Sequence, residues 1–124
     1  MSDAPRTQNE TKLLYIREFL NNEGVNGLAA ILADVDMGDT NEQFLDFGAS
    51  ITLSDCNRTV ELDFSAYGST GTKDDRDALR KDIKNARDKA DRLLVAMTTF
   101  VARLNTGLMR VENELDLRDE RQGL

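Results

Sequence analysis

Apolar side chains recur at helical intervals through the second half of the chain, at Leu79, Ile83, Ala86, Ala90, Leu93, Met97, Phe100, Leu104, Leu108, Val111 and Leu115. These eleven positions make ten steps across 36 residues, a mean step of 3.6. That is the period of a straight α-helix, not the 3.5 of a left-handed supercoil. The spacing predicts one helix over 72–118, about 70 Å long at roughly 1.5 Å per residue. Thr72 with Asp75 forms a capping-box pair at its start, and acids at 74, 75 and 77 sit where the helix dipole favours negative charge. The one interruption is Gly107, which costs about 1 kcal/mol relative to Ala in a helix interior. The apolar phase crosses it without a slip, so the helix is expected to continue.

On a heptad grid Leu79, Ala86, Leu93 and Phe100 take position d, and Ile83, Ala90, Met97, Leu104 and Val111 take position a. Past Phe100 the d positions are Gly107 and Glu114, and the stripe passes to the e positions Leu94, Val101, Leu108 and Leu115. The face is widest from Leu93 to Leu104, wider than a two-stranded seam requires, which predicts burial among three or more helices. Asp75 and Asp82 at g, with Arg80 and Arg87 at e, favour a parallel pair, at on the order of 0.5 kcal/mol or less per exposed pair.

The first half predicts smaller pieces. Residues 1–8 are polar and read as a disordered tail. Leu13, Leu14, Ile16, Phe19 and Leu20 predict a helix that starts at Asn9 or Thr11 and stops at Asn21-Asn22-Glu23-Gly24. Val25, Leu28, Ile31, Leu32 and Val35 predict a second short helix, followed by a loop over 36–39. Thr40 with Gln43 suggests a capped helical turn carrying Phe44, Leu45 and Phe47. The period then falls to two: Ile51 and Leu53, then Val60, Leu62 and Phe64, alternate with polar residues on either side of a turn at Asp55-Cys56-Asn57-Arg58. That is a β-hairpin. Residues 66–71 are rich in small polar residues and read as a linker.

The expected fold is therefore mostly α within an α+β class. A head of short helices and one hairpin spans 9–71, a long amphipathic helix spans 72–118 in a helical bundle or coiled-coil-like assembly, and a frayed tail spans 119–124. A chain of 124 residues fits one domain of roughly 35 Å. A helix of about 70 Å outruns such a body, so the stripe is expected to find cover on another chain.

Charge narrows the function. The net charge is −7, unevenly placed: 12 acids and 4 bases in residues 1–70, 11 acids and 12 bases in residues 71–124. An acidic balance argues against ordinary duplex binding, which draws on Lys and Arg at phosphates. It fits a dispersed acidic protein, or one that imitates nucleic acid in a basic groove. Cys56 is the single cysteine, so no internal disulfide forms. The most apolar run, Leu93–Ala102, is ten residues, against about 20 for a membrane span. Without a signal-like segment, a cytoplasmic protein is expected; export by a signal-less route or incorporation into a particle is compatible with the same sequence.

Catalytic chemistry finds little footing. Histidine is absent, which removes the commonest neutral-pH base and zinc ligand. No phosphate-binding loop, dinucleotide fingerprint or nucleophile elbow occurs. Asp34, Asp36, Asp39, Asn41 and Glu42 form an oxygen-rich run, but an EF-hand glycine and closing glutamate are out of place, so it reads as a solvated loop. Lys73, Arg76, Arg80, Lys84 and Arg87 make a basic helix face, read first as solvated and laced with i,i+4 pairs, second as a dock for the acidic region 1–70 of the same or the next subunit, and third as a site for phosphate or an acidic partner. No catalytic, cofactor or metal site is expected. The expected function is a non-enzymatic assembly protein, a homo-oligomer or the binder of a second protein, that uses Leu79, Ile83, Ala86, Ala90, Leu93, Leu94, Met97, Phe100, Val101, Leu104, Leu108, Val111 and Leu115 as its interface. The alternative is a small acidic inhibitor or chaperone of one larger protein, acting as a nucleic-acid mimic.

Overall fold

Strand pairing takes up most of the first half of the chain. The computed structural model describes residues 12–24, 28–38 and 40–123. Its elements are β1 (Lys12–Phe19), β2 (Ala29–Met37), β3 (Phe44–Asp55), β4 (Arg58–Asp63), β5 (Ala66–Ser69) and one helix, α1 (Lys73–Arg121). All strand pairs are antiparallel, in the order β1-β2-β3-β4, with β5 pairing the first residues of β3. Phe47 pairs with Met37 on one side and Ala66 on the other, so β4 and β5 follow one another along the same flank of β3. Between them the Phe64 N–H donates to the Ala49 carbonyl at 2.8 Å, and the Ala49 N–H donates to Ser65 Oγ at 3.1 Å. The sheet is a meander whose last strand is broken once.

This overturns the expectation of a mostly helical head in a helical bundle or coiled-coil-like assembly: among the described residues there is a single helix, beside five strands. The helix expected through Leu20 is β1, the second short helix is β2, and the turn at Phe44, Leu45 and Phe47 opens β3. The expected tail at 1–8, the starts at Asn9 and Thr11, and Val25 lie outside the described residues. Short apolar clusters carry both periods at once, and length alone does not separate them. In β2 the alternation was there to be read, since Ile31, Ala33, Val35 and Met37 fall on one side and Leu32, Asp34 and Asp36 on the other. In β1 a register shift between Lys12 and Leu14 breaks the phase.

The expected hairpin is β3–β4, with Asp55 opposite Arg58 across Cys56-Asn57. The segment 66–69, expected as linker, is β5. The helix runs without a break from Lys73 through Gly107 to Arg121. Thr72 caps it, its Oγ1 accepting from the Asp75 N–H at 3.1 Å.

The chain divides into two units, Met1–Asp88 and Lys89–Leu124. The first holds the sheet and the opening turns of α1. There Leu79, Ile83 and Ala86 meet Met37, Leu45, Phe47, Phe64 and Ala66 around a cavity of about 400 Å³. Leu79 and Ala66, at 6% and 7% exposure, are the only buried hydrophobic residues among those described. The second unit is helix alone, up to the turn that ends at Gly123.

Candidate interaction surface

Pairing register sorts the sheet into two chemically distinct faces. Partners directly across a strand pair point the same way. One face therefore carries Leu14 and Ile16 from β1, Ile31, Ala33 and Val35 from β2, Ala49, Ile51 and Leu53 from β3, and Val60 and Leu62 from β4. The opening turns of α1 meet this same face at its Met37–Phe47–Ala66 corner. Outside that corner the residues of the face are half-buried or exposed. Val60 is 57% exposed and Leu14 44%, and even Ile31 and Ile51, on the two inner strands, are only half-buried. Its charged residues, Glu18, Asp55 and Arg58, stand toward one end.

The opposite face is polar over β3 and β4, with Tyr15, Phe19 and Leu32 as its large apolar side chains on β1 and β2. Asp34, Asp36, Glu61 and Asp63 gather around Gly48 and Ser50. Lys12 reaches across from β1, its Nζ donating to Asp34 Oδ1 at 2.7 Å and to Asp36 Oδ2 at 3.2 Å. The Asp34 hydrogen bond raises the Lys12 pKa above 10.5 against the opposing effect of lost water, and Asp36 adds to the rise. Gly48 leaves room for this arrangement, because a Cβ there would stand 3.0 Å from Asp36 Oδ1. The oxygen-rich run is thus not one loop: Asp34 and Asp36 are strand residues tied to Lys12, Asn41 and Glu42 lie between β2 and β3, and Asp39 is outside the described residues. Among the described residues no group of three or more potential metal ligands converges.

Along α1 the stripe residues divide by surroundings. Leu79, Ile83 and Ala86 line the seam with the sheet. From Ala90 onward the stripe residues are half-buried or exposed. Leu93 is half-buried, and Leu94, Met97, Phe100, Val101, Leu104, Leu108, Val111 and Leu115 are exposed, Phe100 at 57%. The basic face of the opening turns is solvated and internally paired, Lys73 to Asp77 at 2.9 Å, Arg80 to Asp77 at 3.4 Å and Lys84 to Asp88 at 2.7 Å. Near the end Arg118 and Arg121 both hold Glu114. Among the described residues no helix is long and apolar enough to cross a membrane.

Two apolar surfaces therefore stand open: the helix stripe, which the sequence singled out, and the sheet face, which it did not. The trace of the second in the sequence was the alternation through β2, β3 and β4, and assembling it into one surface required the pairing register. No protein family, curated protein or solved structure matches this chain.

Proposed function

We propose that this chain is a non-enzymatic assembly protein that associates with another protein chain through the apolar stripe of α1. One observation carries the reading. Eight stripe side chains from Leu94 to Leu115 are each more than one-third exposed in the single chain. Complete burial of such a side chain contributes roughly 1.5–3 kcal/mol. Those already half covered would each add about 1 kcal/mol, or on the order of 8 kcal/mol per chain. Association costs about 4–15 kcal/mol in lost freedom, so a stripe this long, met by an equal surface on a partner, suffices for stable binding where a short one would not. Contiguous apolar surface of this extent is a mark of interaction sites.

Native mass spectrometry and light scattering test the reading. The expected result is a multiple of 13.9 kDa, reduced to the single-chain mass by Phe100→Asp, because a carboxylate at the centre of the stripe cannot be desolvated without a partner. A wild-type chain that remains at 13.9 kDa at tens of micromolar, alone and in the presence of cell extract, would remove the proposal.

The acidic polar face of the sheet favours a second reading, a binder of one basic protein by imitation of a phosphate backbone. Such binding weakens steeply with salt, whereas apolar association through the stripe strengthens or holds. A titration from low to high salt distinguishes them.

A further inference from the structure

We infer that the helix stripe is covered by the apolar sheet face of a second copy of this chain, α1 of one copy lying across β1–β4 of the other. The inference rests on the assembly reading above and names the partner of its surface.

Three observations carry it. First, the chain already brings the two surfaces together at one place: Leu79, Ile83 and Ala86 of the same stripe line one pocket with Met37, Phe47 and Ala66 at one corner of the same face. The other residues of each surface are half-buried or exposed, and a helix from a second copy continues that contact. Second, charge selects helix-on-sheet over the other self-pairings. Residues 1–70 carry 12 acids and 4 bases, whereas 89–111 carry Lys89, Arg92, Arg103 and Arg110 against Asp91 alone, a net +3. Stacking two sheets brings acidic bodies together, and aligning two helices in parallel brings basic segments together; laying the helix on the sheet sets a basic segment against an acidic body, whose Asp34, Asp36, Glu61 and Asp63 stand on the far face and act at longer range. An antiparallel helix pair also avoids repulsion, but it leaves the sheet face bare. Third, the dimensions agree. Four strands at about 4.8 Å spacing span roughly 15–20 Å, and the stripe from Leu93 to Leu108 runs about 22 Å at 1.5 Å per residue. Six sheet residues (Ile16, Ile31, Ile51, Leu53, Val60 and Leu62) with the six exposed stripe residues from Leu94 to Leu108 offer on the order of 900 Å² per chain, against the roughly 800 Å² of a standard interface.

Two single variants and their mixture test this. Val60→Asp disables the sheet face at a position already 57% exposed, and Leu104→Asp disables the stripe; circular dichroism establishes that each keeps its fold. Each variant alone is expected at 13.9 kDa. Their equimolar mixture is expected to recover a two-chain species, because the intact helix of the first can still seat on the intact sheet of the second. Benzoylphenylalanine in place of Phe100, photolysed in a mixture of ¹⁴N and ¹⁵N chains, provides a measurement that does not depend on those variants, and its inter-chain products are expected on β1–β4. Inter-chain products confined to α1, or a Val60→Asp chain that associates like the wild type, would overturn the inference while leaving the assembly reading intact. A wild-type chain that is monomeric and gives no inter-chain product would also overturn the inference, and it removes the assembly reading only where the chain stays single in cell extract as well.

Discussion

Cys56 stands in a backbone conformation that suits a smaller residue. Its φ is 55°, and among the described non-glycine residues it alone is positive. A two-residue hairpin loop with positive φ at its first central position is where a type II′ turn takes glycine. A side chain there costs about 1–2 kcal/mol, while glycine gives back roughly 0.5–1 kcal/mol through the freedom of the unfolded chain. Cys56→Gly should therefore raise stability by about 0.5–1 kcal/mol, seen as a higher denaturant midpoint. The backbone bond from the Cys56 N–H to the Leu28 carbonyl, 3.1 Å, is retained; an unchanged or lower midpoint would show that the turn is not strained. Lys12 is the other residue with a measurable signature. Its pKa is raised by Asp34 and Asp36, so the native state holds the proton more tightly than the unfolded chain. The stabilisation is fully present below 10.5, the ordinary lysine value, and is lost as pH rises through the higher folded value. Wild type minus Lys12→Met, compared by urea midpoints at pH 9 and above pH 11, should shrink with rising pH. A difference that is flat across that window would mean the two ion pairs do not form in solution.

The contrast between α1 and the strands shows what a sequence can carry at the scale of an element. A helix closes its hydrogen bonds four residues away, so its evidence is local: Thr72 at the cap, a steady 3.6 step, Gly107 crossed in phase. A strand finds its partner far along the chain, as Lys12 does with Asp36 and Phe47 with Ala66, and nothing near Leu13 or Ile31 announces that partner. Only the β3–β4 hairpin, whose two strands are adjacent, could be read from its own residues. The Thr40–Gln43 pair misled for a related reason. It resembles a capping box, but it belongs to the connection into β3, where the Thr40 hydroxyl accepts from the Asp46 N–H at 3.4 Å and the Gln43 carbonyl accepts from the Thr70 N–H at 2.8 Å. Gly107 gives a test on α1 itself. A Cβ at that position would meet nothing within 4 Å, so Gly107→Ala should add about 1 kcal/mol of helix stability and slow amide exchange on either side of it. Loss of helicity instead would mean that the segment departs from helix in solution.

For the molecule as a whole, the sequence yielded half of the candidate surface. The stripe was legible because it lies on one continuous element; the sheet face combines residues from four strands and exists only once register is fixed. Its significance is energetic. With only Leu79 and Ala66 buried among the described hydrophobic residues, a single chain keeps little of the apolar burial that must offset roughly 1–2 kcal/mol of backbone entropy per ordered residue. On the proposed assembly, association supplies stability, and stability should depend on concentration. For a two-chain assembly that unfolds to separate chains, each tenfold rise in concentration adds about 1.4 kcal/mol. In a domain of this size that is worth on the order of 3–8 °C in melting temperature. Melts followed by circular dichroism from 1 to 100 µM should therefore shift upward by several degrees per decade, and the shift should vanish in Phe100→Asp. A melting temperature constant over that range would mean that the lone chain finds its stability internally, and the open stripe and sheet face would then need no second copy to explain them.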